Sequence, residues 1–234
     1  MNHDFMKGLR VSLPVCLGVI PVGISFGLLA VQAGFNGLQA VAMSVFVMAG
    51  SSQIMAVGML GQGAAVASII AATFFLNLRH IVMSTSIMGR LRGVPVLQKL
   101  VGAFAICDES FAIFSLSEQQ SFPFLLGANT ALYGTWVISS AIGCLADCVL
   151  PELAAKSFGI AFYAAFLAML LPSVKKNTPL LLLAALSAGL HTLLRCWLPG
   201  SWAAIFAMIA GAAIGTILVP ESNDQRGGAT DEQS

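Results

Sequence analysis

Charge is the property that this sequence has least of. Only 9% of its 234 residues are charged, whereas 58% are apolar, and the mean hydropathy is +0.90. Because soluble domains are about a quarter charged, this composition excludes an ordinary soluble domain and predicts an integral membrane protein. The net charge of +1 is also too small to indicate a nucleic-acid partner.

Cysteine and histidine are scarce as well, with five and three residues. Cys144 and Cys148 lie one helical turn apart, a spacing that suits neither a disulfide framework nor a zinc site. We therefore expect reduced, buried thiols and no metal or cofactor. The first residues, "MNHDFMKGLR", contain no small-residue cleavage site, so no removable signal peptide is predicted.

Long apolar runs are what the sequence has in abundance. A membrane span needs roughly 20 apolar residues, and such runs fill the chain up to Pro220. They predict an all-α polytopic membrane protein with about six to eight hydrophobic segments, in a single transmembrane domain over residues 1–220, followed by a disordered polar tail, residues 221–234. The segments cover residues 11–31, 38–60, 64–88, 100–116, 122–146, 158–171, 180–198 and 202–219.

An internal repeat emerges when the sequence is slid along itself. A shift of 116 positions places the first three segments on segments five to seven, with Gly27 on Gly143 and Arg79 on Arg195. Matched hydropathy and a matched arginine are typical of transporters built from two structural repeats. We therefore expect two repeats in this chain.

The basic residues bear on the orientation of these segments. Lys7 and Arg10 place the N-terminus in the cytoplasm by the positive-inside rule, but three full spans would put Arg90, Arg92 and Lys99 on the other side. If the third segment enters and returns on the same side, that basic loop moves to the cytoplasm. The two repeats are then expected to be inverted, with a broken or re-entrant helix at the third segment.

The third segment also holds unusual polar groups, in "AATFFLNLRHIVMSTSIM". On a straight helix Asn77 and Arg79 point about 160° apart, and a break near Asn77–His80 removes that conflict. An arginine at mid-membrane costs about 2.5–3.5 kcal/mol on insertion scales, so Arg79 should face a cavity or a partner. The alternative is that it only ties two helices together through an acid. His80 is either a proton carrier or, as we prefer, a hydrogen-bonding group.

Two further stretches place polar side chains inside apolar segments. In "FAICDESFAIF", one of Asp108 and Glu109 could pair with the arginine while the other binds an ammonium group or carries a proton; the alternative is solvated carboxylates near the interface. In "AGSSQ", Ser51, Ser52 and Gln53 form either a polar kink that lines a path or a run of small residues for close helix packing.

Four motifs, in order and at compatible spacing, resemble the AzlC family, the large subunits of bacterial branched-chain amino acid exporters. The chain departs from the family pattern at Ser51, where alanine is usual, and at Val82-Met83, where a tyrosine usually follows the histidine. The second change bears on substrate preference. The motifs are "FGLLA" at 26–30, "VMAGSSQ" at 47–53, "NLRH" at 77–80 and "DESFA" at 108–112.

The resemblance implies a secondary transporter, not an enzyme, in the bacterial cytoplasmic (inner) membrane. It implies efflux of valine, leucine and isoleucine, with methionine as a further candidate, and a small AzlD-like membrane subunit as partner. With no nucleotide-binding motif, the proton gradient is the expected energy source. The rival functions are a non-transporting scaffold or receptor, a channel, and an intramembrane hydrolase that uses Ser51 or Ser52 as nucleophile.

A branched-chain amino acid is a zwitterion with an apolar side chain, and the polar groups fit its two charges. We expect Arg79 to bind the carboxylate and Asp108 or Glu109 to bind the ammonium group or a proton. Asn77 and His80 are expected to shape the helix break, and Ser51, Ser52 and Gln53 to line the path. The predicted substrate-binding residues are Arg79, Asn77, His80, Asp108, Glu109, Ser51, Ser52 and Gln53.

Overall fold

The protein is helical wherever the structure describes it. This structure, a computed structural model, describes residues 2–146, 178–198 and 200–218, and these contain helices and no strand. The predicted all-α class is confirmed over these ranges. The helices are α1 (Asn2–Gln32), α2 (Gly37–Val47), α3 (Gly50–Gly61), α4 (Val66–Arg90), α5 (Val96–Phe104), α6 (Asp108–Leu116), α7 (Phe122–Ala146), α8 (Thr178–Leu194) and α9 (Gly200–Leu218).

The chain divides into two compact units, Met1–Ala168 and Met169–Ser234. The first contains α1 to α7. The second contains α8 and α9, an antiparallel pair in which Gly211 lies against Ser187 and Gly215 against Leu183. The single transport domain over residues 1–220 stays a prediction, and the predicted segment 158–171 and the polar tail lie outside the described residues.

Two of the described helices, His3–Gln32 and Val66–Arg90, are long and apolar enough to cross a membrane. Helix α7 has the same length as α4, 25 residues, which corresponds to about 37 Å at the helical rise and exceeds the roughly 30 Å hydrocarbon core of a bilayer. The count of six to eight segments stays a prediction, because the described helices include shorter apolar ones.

The longest packing interface of the first unit joins α1 to α7. Residue numbers rise together along the two helices, so the helices are parallel. At each contact a glycine of one helix lies against a backbone carbonyl of the other, and a Cβ there would overlap that carbonyl, so small residues are required for this close approach. The contact pairs are Gly8–Phe124, Gly127–Phe5, Gly27–Ser140 and Gly143–Ile24.

These contacts correct the predicted relation between the repeats. Gly27 and Gly143, which the 116-residue shift superimposed, do meet at the interface. However, the first helices of inverted repeats run antiparallel, whereas α1 and α7 are parallel, so the predicted inversion is wrong for them. The arginine match also fails in position, because Arg79 lies within α4 while Arg195 lies in the turn after α8.

The second segment is not one helix but a re-entrant hairpin of α2 and α3. Its first helix runs antiparallel to α7: the Ser44 hydroxyl donates to Ser140 Oγ at 2.9 Å, and the Tyr133 hydroxyl donates to the carbonyl of Val45 at 2.9 Å. The chain then reverses, and Gly61 at the end of α3 lies beside Ala33, just after α1. The hairpin therefore enters and leaves at the end of the unit where α1 ends.

Unusual backbone conformations mark the reversal and the base of this hairpin. At the tip, Met48 adopts the left-handed conformation (φ 41°, ψ 42°), which a non-glycine residue rarely adopts. At the base, the chain enters through Gly34 (φ 93°) and leaves through Gly63 (φ 72°), a conformation that glycine adopts without steric cost.

The fourth segment forms a second re-entrant hairpin, of α5 and α6, which enters from the opposite end. Helix α5 runs along α7, where the Asn129 side chain donates to the carbonyl of Gly102 at 3.0 Å. Helix α6 returns, so that Phe114 packs against Phe124 in the first turn of α7. The break between the two helices covers residues 105–107.

The predicted break in the third segment is therefore wrong. Helix α4 is continuous through Asn77–His80, and the re-entrant elements are the second and fourth segments. Arg90, at the end of α4, lines one cavity together with Phe5 of α1 and Phe122 of α7. The loop after α4 consequently lies at the end where α1 begins, as predicted from the basic residues. We call this end the basic end; it carries Lys7, Arg10, Arg90, Arg92 and Lys99.

The predicted state of the thiols holds only in part. Cys16, Cys107 and Cys196 are free cysteines, of which Cys16 is buried, Cys107 is half-buried and Cys196 is exposed; Cys144 is buried as well. The expectation of burial is therefore wrong for Cys196, which lies in the turn after α8. Cys148 lies outside the described residues.

The glycine contacts between α1 and α7 generate a stability prediction. Gly27→Ala places a methyl group against the backbone of Ser140 and Gly143, so we expect a loss of about 1–3 kcal/mol, the usual cost of overpacking. Gly18→Ala is the matched control in the same helix, because its Cβ meets nothing within 4 Å. Thermal unfolding of the purified variants measures both; equal melting temperatures would contradict the packing described here.

Candidate functional site

Arg79 lies at the point where the tips of the two hairpins meet. Its Nη2 donates to Ser51 Oγ at 2.9 Å and lies 2.9 Å from Asp108 Oδ2. Ser51 is in the first turn of α3, and Asp108 is the first residue of α6. One guanidinium group, presented by the continuous helix α4, therefore joins two hairpins that enter from opposite ends. The predicted pairing of Arg79 with an acid is confirmed.

The helix ends at this point favour negative charge. Helices α3 and α6 both begin here, and the N-terminus of a helix carries partial positive charge from its unpaired amides. At α3 the N-cap residue, Ala49, makes no side-chain capping hydrogen bond. At α6 the carboxylates of Asp108 and Glu109 occupy the first turn. Arg79 and the two helix ends therefore supply positive charge to a place that holds two carboxylates, those of Asp108 and Glu109.

The ion pair is open on one side. The side chains of Arg79 and Asp108 keep 36% and 34% of their accessible surface. The Nε atom of Arg79 is buried and has no hydrogen-bond partner among the described residues. Since an arginine has five N–H donors, the guanidinium keeps donors that are not used by Ser51 and Asp108. A further acceptor, such as a substrate carboxylate, would therefore find donors on a partly exposed group.

Ser52 and Gln53 lie in the same turn as Ser51 but face away from the arginine. Both are buried. The Ser52 hydroxyl donates to the carbonyl of Ala49 at 2.9 Å, and Gln53 Oε1 accepts from the amide of Ala49 at 3.3 Å and from Trp136 Nε1 at 3.1 Å. In this structure these two side chains therefore hold the reversal between α2 and α3, and only Ser51 of the three reaches Arg79.

The remaining predicted residues are His80, Glu109 and Asn77, and they differ in their position relative to the ion pair. His80 and Glu109 follow Arg79 and Asp108 in sequence and are half-buried. Asn77 lies on the opposite side of α4 from Arg79 by the helical period. Its Oδ1 atom is buried and finds no hydrogen-bond partner in the part of the chain that the structure describes. The structure thus brings together Arg79, Asp108 and Ser51, and not Asn77.

Trp136 is a residue of this region that the sequence did not indicate. Its ring stacks on Phe26 with a centroid distance of 5.7 Å, and its Nε1 donates to Gln53. A Cβ on Gly50 would lie only 2.8 Å from the ring, so the glycine of "AGSSQ" is required by this tryptophan. The one signal in the sequence is Gly50 in the polar motif "AGSSQ". It could not show that the residue packed against this glycine is a tryptophan of another segment.

The sequence also matches known proteins over much of its length. The profile described as AzlC protein matches residues 14–150. The chain belongs to the AzlC family. The resemblance that the four motifs indicated is therefore confirmed, and the matched region contains both hairpins, Arg79 and Asp108.

Three relatives are similar to the chain over 59% to 81% of its length. An "Uncharacterized membrane protein" of Archaeoglobus fulgidus is 36% identical over 178 residues, 73% of this chain and 76% of that protein. "Inner membrane protein YgaZ" of Escherichia coli is 29% identical over 201 residues, 81% of each chain. "Branched-chain amino acid transport protein AzlC" of Bacillus subtilis is 28% identical over 145 residues, 59% of this chain and 56% of that protein. No solved structure matches the chain.

The contact between Trp136 and Gln53 generates a second stability prediction. Trp136→Phe keeps an aromatic ring but removes the donor to a buried oxygen, so we expect a loss of about 1–3 kcal/mol. Trp202→Phe is the matched control, because Trp202 is 39% exposed in α9. Thermal unfolding in detergent compares the two; a Trp136→Phe protein as stable as the control would show that this bond does not hold the reversal.

Proposed function

We propose that this protein is a secondary transporter that exports branched-chain amino acids, with Arg79 and Asp108 in its substrate site. The observation that carries the proposal is the open ion pair at the junction of two hairpins that enter from opposite ends. The relative from Bacillus subtilis, named as a branched-chain amino acid transport protein, supports the substrate class. Valine, leucine and isoleucine are the proposed substrates, with methionine as a further one.

The charges at the junction complement a zwitterion. A substrate carboxylate binds the unused donors of Arg79 and the amides at the start of α3, because both favour an anion. The substrate ammonium group binds Asp108 or Glu109. Ser51 orients the guanidinium through its 2.9 Å hydrogen bond, and His80 borders the site. Asn77 has no direct role in this proposal, because it faces away from the guanidinium.

The two contacts of Arg79 suggest how access alternates. Movement of the α2–α3 hairpin breaks the bond to Ser51, whereas movement of the α5–α6 hairpin breaks the ion pair with Asp108. Because the hairpins enter from opposite ends, each contact closes the site toward a different compartment. A substrate that replaces one contact at a time would open one side while the other stays closed, as a transporter requires.

The cellular setting of the proposal follows from the family. We propose a multi-pass protein of the bacterial inner membrane, because a relative is named as an inner membrane protein, acting with a small AzlD-like subunit as the family resemblance implies. The proton gradient is the proposed energy source, with Asp108 or Glu109 as the proton carrier.

The rival functions find less support. A hydrolase needs a nucleophile beside an oriented base, but Ser51 contacts a guanidinium group and Ser52 donates to the carbonyl of Ala49. A scaffold or receptor predicts that the interior polar residues can be replaced by apolar ones with no loss except of folding, whereas a transporter loses flux. A channel would show flux that does not saturate with substrate, so saturation separates it from a carrier.

The role of Arg79 predicts a loss of transport. Arg79→Gln removes the charge that binds the substrate carboxylate, an interaction worth about 1.5–3 kcal/mol, so we expect efflux of labelled valine to fall about tenfold to a hundredfold at low substrate concentration. Efflux is measured from loaded proteoliposomes that contain the chain and its small subunit. Arg10→Gln, which changes an exposed arginine of α1 at the basic end, should transport normally; undiminished efflux in Arg79→Gln would refute the site.

The role of Asp108 predicts a change in selectivity. In the wild type, valine should compete with labelled valine far better than its 2-oxo acid, which lacks the ammonium group. Asp108→Asn removes the negative charge that recognises the ammonium group, so we expect the preference for valine over the oxo acid to shrink about tenfold or more. Competition curves on the same proteoliposomes measure this ratio. An unaltered ratio in Asp108→Asn would assign ammonium recognition to another group, with Glu109→Gln as the next variant.

A further inference from the structure

A cavity lies away from the ion pair, at the basic end of the first unit. Its cavity has a volume of about 630 Å³ and is formed where α4 ends and where α5 and α7 begin. That volume is in the range of small-molecule sites, roughly 300–1,000 Å³. The residues that matter for the argument are Arg90, Arg92, Gln98, Phe5, Phe122 and Leu126.

The cavity is positively charged. Of the six lysines and arginines in residues 2–146, five lie at this end, and only Arg79 lies elsewhere. Arg90 and Arg92 are exposed, and the ion pairs found among the described residues use neither of them. Lys99 is occupied with the carbonyl of Met88 at 3.2 Å. The two arginines are therefore free to bind an anion.

Neighbouring groups add to the attraction for an anion. Helices α5 and α7 both present their N-termini to the cavity, and helix N-termini favour anions. One acid, Asp4, accepts a hydrogen bond at 2.9 Å from the hydroxyl of Ser121, a residue of the cavity lining. Against this single carboxylate stand the two arginines, so the charges at the cavity still favour an anion. The side chain of Gln98 adds a neutral hydrogen-bonding group to the lining.

The rest of the wall is apolar and continues outward. Phe5, Phe122 and Leu126 line the cavity beside the arginines. Farther along α5, Leu100 and Phe104 expose 61% and 53% of their surface. A free inorganic anion gains nothing from such a wall, whereas an amphiphile places its charged group on the arginines and its chains on the apolar residues.

From this combination we propose that the cavity binds the headgroup of an anionic phospholipid. Basic residues concentrate on the cytoplasmic side of membrane proteins, and basic pockets between helices on that side bind the phosphates of anionic lipids. Arg90 and Arg92 bind the phosphate and headgroup oxygens, Gln98 donates to the headgroup, and Phe122 and Leu126 contact the glycerol and upper acyl chains. This site is separate from the proposed substrate site.

The test is lipid-dependent stabilisation of the purified full chain. Phosphatidylglycerol, titrated into detergent solution, should raise the melting temperature of the wild type, and phosphatidylcholine should not. Arg90→Gln/Arg92→Gln should weaken the apparent affinity for phosphatidylglycerol about tenfold or more. Lys7→Gln/Arg10→Gln is the matched control, since it removes the same charge from the basic end at residues outside the cavity lining, and it should retain the wild-type affinity.

A second variant protects the test against misfolding of the double arginine variant. Leu126→Trp fills the cavity without changing the charge, and it should abolish the stabilisation by phosphatidylglycerol. Equal losses in the arginine variant and in the Lys7/Arg10 control would overturn the proposal in favour of diffuse surface charge. Stabilisation by sodium phosphate that matches that by phosphatidylglycerol would overturn it in favour of a free anion. Retained stabilisation in Leu126→Trp would overturn the location.

Discussion

The first unit depends on one guanidinium group that lies between two helical hairpins. Helices α3 and α6 are only 12 and nine residues long, and both begin beside this group, at the tips of the hairpins. Arg79 joins both beginnings at once, through the side chains of Ser51 and Asp108. A guanidinium group only donates and cannot pair the helix amides, so its charge is balanced by the carboxylate of Asp108, which also suits the positive end of α6. The ion pair is also partly open, so the interaction that joins the hairpins is the one that a charged substrate could replace.

Much of this arrangement follows from the sequence. Composition predicts the helical class, and the charges inside apolar segments predict that Arg79 pairs with either Asp108 or Glu109; the structure shows that it is Asp108. The four motifs likewise indicate the family. The basic loop after α4 is correctly assigned to the end that carries Lys7, although the reasoning placed the re-entrant element in the wrong segment.

The location of the breaks could be predicted only in part. A polar kink at "AGSSQ" was one of two interpretations of that stretch, and the first break lies at its edge, at Met48 and Ala49; the second break, at residues 105–107, carries no glycine or proline. Met48 and Ala49 are held by the Gln53 side chain, itself fixed by Trp136 from a distant helix; Cys107 is held by Ser110, which accepts from its amide at 3.0 Å. Helix α4, in contrast, looked broken because Asn77 and Arg79 point in opposite directions, yet it remains intact because Arg79 finds both partners on one side. Matching a sequence with itself also contains no information on direction, so α1 and α7 could not be recognised as parallel.

The backbone at the base of the α2–α3 hairpin has a mechanical consequence. Gly34 and Gly63 both have positive φ and lie at the two ends of the hairpin. Helices α1 and α7, in contrast, are in close backbone contact, which limits sliding of one helix along the other. The tightly packed part of the unit, α1 with α7, is thus separate from the part that can rotate, the base of the α2–α3 hairpin. We therefore expect any movement of this hairpin to occur by backbone rotation at the two glycines, while the pair of long helices α1 and α7 stays fixed.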